Sequence, residues 1–197
     1  MPGSGARALL VVDVQNDFCV GGSLAVPGGD RVVEPINSLM SGCAEAGIPI
    51  FASRDWHPAE SRHFADHGGP WPVHCVADSP GAAFHPGLHL PVDARIVSKG
   101  QAPDTDGYSA FDGTLADGTG LREALAAGGV RELVVCGLAT DYCVRASVLD
   151  GVRLGLRVEV VTDAIAAVDA AGGKSAAVEM RDAGATLTTV ETILARP

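Results

Sequence analysis

The chain has no CxxC pair, no basic block and no long unbroken apolar run. Each absence closes a class of function. The cysteines Cys19, Cys43, Cys75, Cys136 and Cys143 are odd in number and scattered, which gives no disulfide framework and fits a reducing compartment. A net charge of −10 with no cluster of Lys or Arg disfavours a nucleic-acid or membrane-surface role. Apolar runs broken by Gly, Pro or charge predict no transmembrane helix. The opening MPGSGAR runs through ALLVVDV into Asp13 and Asp17 with no small-residue cleavage site, so a secretory signal is not expected and a cytoplasmic protein is. Charged residues are scarce at 19%, but a hydrophobic share of 47% excludes disorder. A length of 197 residues suits one domain, 1–197, with a substantial core.

What is present is an alternation of apolar strands and helical patterns. Strands are expected at Ala8–Val14, Ile48–Ser53, Ala94–Ser98, 131–136, Arg157–Thr162 and Thr186–Val190. Helical spacing runs from Gly28 to Gly47, Gly118 to Gly128, onward from Asp141, and from Lys174 to Ala183. Strands this apolar are buried on both faces, so the fold class is α/β: a three-layer α/β/α sandwich with a six-stranded parallel sheet. Trp56 to Pro91 holds all 6 histidines with little periodicity, and so long an irregular segment in a compact domain is usually functional.

In such sheets, sites lie beyond the carboxyl ends of the strands. Asp13, Asp55 and Lys99 stand at the ends of the first three strands, and Cys143 follows the fourth. Cys143 also sits in the first turn of the helix expected from Asp141, where the helix dipole favours a thiolate. An acid, a cation and a thiol on one edge suit a covalent hydrolase, with Asp13 exchanging the thiol proton and Lys99 offsetting negative charge. A structural ion pair and a buried apolar cysteine are the plainer alternatives. Asp55, His57, His63 and His74, directly after a strand end, suit a divalent ion such as Zn, Fe or Mn, with solvated loop residues as the plainer alternative. His67, His85 and His89 read as surface loop residues, Asp17 as a turn or cap residue. Gly21-Gly22 and Gly28-Gly29 match no phosphate-binding pattern and read as turns.

Several segments together resemble the nicotinamidases of the isochorismatase-like cysteine hydrolase superfamily. They are Val12-Asp-Val-Gln-Asn-Asp-Phe18, Ser53-Arg-Asp-Trp-His57, His63-Phe64, Trp71-Pro-Val-His-Cys75, Lys99-Gly100, Tyr108-Ser-Ala-Phe111 and Gly137-Leu-Ala-Thr-Asp-Tyr-Cys-Val144. The resemblance covers nearly the whole chain. It implies a catalytic triad of Asp13, Lys99 and Cys143, with one divalent metal ion held by Asp55, His57, His74 and, more variably in the family, His63. It implies a cis peptide between Leu138 and Ala139 and an oxyanion hole from the N–H groups of Ala139 and Cys143. Phe18, Trp71 and Tyr108 would wall an aromatic substrate pocket, while Tyr142 takes no catalytic part. The implied reaction is hydrolysis of nicotinamide to nicotinate and ammonia through a cysteine thioester, within NAD salvage, with pyrazinamide also cleaved. Competing readings are another amide, carbamoyl or isochorismate hydrolase of the superfamily, and a non-catalytic metal- or ligand-binding relative. The expected partner is the small-molecule substrate; a homo-oligomer is left open.

Overall fold

A computed structural model describes residues 6–196. Six strands, β1 (Ala6–Val12), β2 (Ile50–Asp55), β3 (Arg95–Lys99), β4 (Val130–Leu138), β5 (Arg157–Ala166) and β6 (Thr186–Thr188), form one sheet in the order β3-β2-β1-β4-β5-β6. Every neighbouring pair is parallel. The helices are α1 (Val33–Glu45), α2 (Leu121–Ala127), α3 (Arg145–Arg153), α4 (Ala170–Asp182) and α5 (Val190–Leu194).

The period-2 geometry of the strands divides their side chains between two cores. Leu9 and Val11 of β1 and Val134, Cys136 and Leu138 of β4 face a core shared with Ile36, Leu39 and Met40 of α1 and Ile193 of α5. Leu10 and Val12 of β1 and Leu133 and Val135 of β4 face the opposite core, with Leu121 and Leu125 of α2, Val148 of α3 and Met180 of α4. The architecture is the expected α/β/α sandwich on an all-parallel six-stranded sheet. No helix among the described residues is long and apolar enough to cross a membrane.

Element boundaries differ from the sequence reading in ways with physical causes. β1 stops at Val12 because Asp13 takes a left-handed conformation (φ 49°), which ends the pleat. The stretch expected to open α1 at Gly28 is a short 3₁₀ turn, Gly29–Val32, and the α-helix proper starts at Val33. β5 runs on to Ala166 past the polar Thr162 and Asp163, through a register shift against β4. α4 starts at Ala170, capped by the Asp169 carboxylate on the Gly172 N–H. Past β6, Thr189 caps the N-terminus of α5, so the expected strand through Val190 becomes helix there.

Candidate active site

The carboxyl edge of the sheet gathers the strand-end residues. Asp55 and Lys99 are register partners at the ends of β2 and β3. Asp13 follows β1 directly, and Gly137, near the end of β4, pairs with Val12. From this frame the Lys99 ammonium reaches an Asp13 oxygen at 2.8 Å, the Asp55 Oδ1, the Gly107 carbonyl at 2.7 Å and the Cys143 Sγ at 3.5 Å. All four ionisable groups are buried. Ser53 Oγ donates to the second Asp13 oxygen at 2.7 Å. Asp13 is thus held from two sides in a backbone conformation that non-glycine residues seldom adopt, a pattern found at functional sites.

One cation facing two carboxylates and a thiol sets the charge balance. Burial raises the Asp13 pKa, and the nearby Asp55 adds to this against the opposing Lys99. Burial also works to raise Asp55, but Lys99 and His57 overcome it and hold that carboxyl well below the usual range. For Lys99, burial alone would favour loss of the proton; Asp13, Asp55 and Cys143 reverse that and keep the ammonium charged. Burial pushes the Cys143 thiol well above its ordinary value, with Asp13 and Asp55 reinforcing and Lys99 opposing. This runs against the expectation of a favoured thiolate: burial and the two carboxylates favour the thiol, which faces Asp13. Nor does Cys143 sit in an ordinary first α-turn: Thr140–Val144 is a π-helical turn, closed by the Val144 N–H on the Ala139 carbonyl, and the preceding Leu138–Ala139 peptide is cis.

Beyond Asp55 lie three buried imidazoles. Each has its Nδ1 against an oxygen: His57 on the Gly100 carbonyl at 3.1 Å, His63 on the Asp106 carboxylate at 3.0 Å, His74 on the Pro72 carbonyl at 2.8 Å. Carbonyl and carboxylate oxygens only accept, so each Nδ1 carries the proton and Nε2 is left with its lone pair. That tautomer is the one metal-binding histidines use. One donor atom of each ring lies within 4.8 Å of the others, and His57 Nε2 is buried without a hydrogen-bond partner. The Asp55 Oδ2 stands 3.7 Å from His57 Nε2 and 3.9 Å from His74 Nε2. An orphaned buried nitrogen, two more lone pairs and a carboxylate oxygen fit a divalent ion. Asp55 joins the two halves of the site, one oxygen on Lys99 and the other toward the imidazoles.

Beside them opens a pocket that Asp55, His63 and His74 help to line. Phe18, Trp71, Tyr108, Ala139, Tyr142 and Cys143 line it. Trp71 Nε1–H donates to the Tyr108 hydroxyl at 2.9 Å, and the Tyr142 ring packs against both.

The isochorismatase domain model matches residues 7–192. The chain belongs to the isochorismatase family. It is 45% identical to the nicotinamidase of Escherichia coli (strain K12), over 93% of this chain and 95% of that one. Among solved structures, the pyrazinamidase of Pyrococcus horikoshii in complex with zinc superposes with a TM-score of 0.87 at 41% identity, covering 93% of this chain and 98% of the other. The L. infantum protein PnC1 in complex with nicotinate gives a TM-score of 0.84 at 36% identity, covering 96% and 95%.

Several residues around this isochorismatase-family site escape sequence reasoning. Gln15 is fully buried. Its amide donates to the carbonyls of Asp55 and Ala82 and accepts from the Asp55 N–H, which fixes the strand end that carries Asp55. Asp106 joins the site as well, through the His63 ring. Asp17, expected as a turn or cap residue, accepts from the N–H groups of Cys75 and Ser23. His67 and His89 are exposed, but His85 is not a bare surface residue. The Gly87 N–H points at its Nδ1, so Nε2 carries the proton and faces Asp30 at 3.3 Å. That arrangement is the reverse of the one at the three active-site imidazoles. Cys19, Asp30 and His85 each place one polar atom within 4.8 Å of the others.

Proposed function

We propose that this chain is a nicotinamidase, a single hydrolase domain spanning 1–197 that converts nicotinamide to nicotinate and ammonia through a thioester on Cys143. Pyrazinamide, a ring of the same shape with the same carboxamide, is a second substrate. The product suits NAD salvage in the cytoplasm. The observation that carries the reading is the shared Asp55, which sets a buried acid–cation–thiol group beside a metal-ready imidazole cluster under an aromatic-walled pocket. The choice of amide rests on the relatives: the E. coli protein is named a nicotinamidase, and the L. infantum structure holds nicotinate.

Asp55, His57, His63 and His74 would hold one divalent ion, zinc by analogy with the P. horikoshii structure. Bound there, it would supply a Lewis-acid centre for the ring nitrogen of the substrate. The chain's own residues do the rest. Phe18, Trp71 and Tyr108 sandwich the ring and exclude water. Asp13 takes the Cys143 thiol proton as sulfur attacks the carboxamide carbon, a transfer helped by its raised pKa. The N–H groups of Ala139 and Cys143 receive the oxyanion. Asp13 then gives its proton to the departing nitrogen, leaving ammonia and the thioester. Water, deprotonated by Asp13, attacks the thioester carbon, and Cys143 sulfur leaves with the proton that Asp13 holds. Lys99 remains charged throughout and keeps Asp13 and Cys143 in register.

The test is ammonia release by the zinc-loaded protein from nicotinamide, pyrazinamide and benzamide. Benzamide has the same outline without a ring nitrogen. The first two should be hydrolysed and benzamide slower by at least about a hundredfold, since a site built for a polar atom discriminates against its absence. Benzamide turned over as fast as nicotinamide would remove the ring-nitrogen anchor. Turnover of carbamoyl compounds alone would favour a different hydrolase of the family.

A further inference from the structure

The loop that leaves β3 holds three groups of the site at once. The Gly100 carbonyl accepts from His57, the Gly107 carbonyl from Lys99, and between them the Asp106 carboxylate from His63. The three imidazoles are supported differently. His57 and His74 lean on backbone carbonyls, which no side-chain substitution removes. Only His63 leans on a side chain. That ring is 4% exposed, whereas its Asp106 partner is 64% exposed and lines the mouth of the pocket. A surface carboxylate thus reaches in and fixes a buried ring.

We propose that Asp106 is a positioning residue that makes His63 a metal ligand: by accepting the Nδ1–H it fixes the ring's orientation and turns Nε2 toward the cluster. The inference rests on the metal site described under Proposed function. A carboxylate behind a histidine ligand both locks the tautomer and strengthens the donor, and its loss typically weakens metal binding 10- to 100-fold, roughly. The plain alternative is an exposed ion pair of negligible consequence, like the neighbouring Arg62–Asp104 contact, where both side chains are exposed. The same loop offers Asp104 as an internal control.

The experiment is zinc competition against a chromophoric chelator, using full-length wild type, Asp106→Ala, Asp106→Asn and Asp104→Ala. Thermal unfolding of each metal-free protein is measured alongside. Asp106→Ala should bind zinc about 10-fold or more weakly, while its metal-free melting temperature stays with wild type. Asp106→Asn keeps an acceptor oxygen and should recover most of the affinity; Asp104→Ala should match wild type. Wild-type affinity in Asp106→Ala overturns the proposal. So does an Asp106→Asn variant as weak as Asp106→Ala, an equal loss in Asp104→Ala, or a loss that tracks a lower metal-free melting temperature. If wild type itself binds no zinc, the metal reading beneath it fails, which is a separate result.

Discussion

At the residue scale, the site works by placing opposing charges where water cannot screen them. Lys99 is the hinge of this balance, because without it Asp13 and Asp55 would face each other unpaired in the interior. The raised pKa of Cys143 has two measurable signs. Alkylation of Cys143 by iodoacetamide in the free enzyme, followed by peptide mass spectrometry, should be slow at neutral pH and accelerate only above pH 9.0, the thiol's ordinary value. A rate already at its plateau near pH 7 would contradict the resting thiol. The linkage runs the same way: the folded thiol keeps a proton that the unfolded chain has lost, so this contribution to stability disappears as pH rises above 9.0. Asp13, Lys99, Cys143 and the imidazole positions could be named in advance because strand ends and motif spacing mark them. Gln15 and Asp106 could not. Gln15 acts on Asp55, 40 positions away, and Asp106 on His63, 43 positions away; nothing in the local sequence signals either contact.

At the element scale, the π-helical turn and the approach of β1 to β4 bring Cys143 to the sheet edge. Gly137 allows that approach. Its φ is 115°, and a Cβ there would stand 2.1 Å from the Val12 carbonyl oxygen. Gly137→Ala should therefore destabilise the fold by at least about 1–3 kcal/mol from the backbone conformation alone, read by urea denaturation. It should lower activity further by shifting Asp13, the next residue after Val12. An alanine variant with wild-type stability would show that the strands can part without cost. Strands were legible because burial on both faces makes them continuous apolar runs. The π turn was not, since no residue pattern distinguishes a Val144-to-Ala139 hydrogen bond from an ordinary helical one. α5 spans five residues, too few to show a helical period.

At the scale of the whole molecule, two apolar cores flank one sheet and share its carboxyl edge as the site. Strands that traverse both cores argue for unfolding as one unit. Differential scanning calorimetry of the metal-free protein should give a single transition, and excess zinc should raise its midpoint by mass action. Two transitions, or a midpoint indifferent to zinc, would count against the one-domain, metal-binding reading. The central claim is that Cys143 carries the chemistry. Its most direct measurement is the single-turnover rate of ammonia release from nicotinamide by zinc-loaded wild type and Cys143→Ala, with circular dichroism confirming that both are folded. Wild type should release one equivalent of ammonia for each nicotinate formed, and Cys143→Ala should be slower by about a thousandfold or more, as for loss of a covalent nucleophile. Ammonia release by folded Cys143→Ala at the wild-type rate would contradict the account.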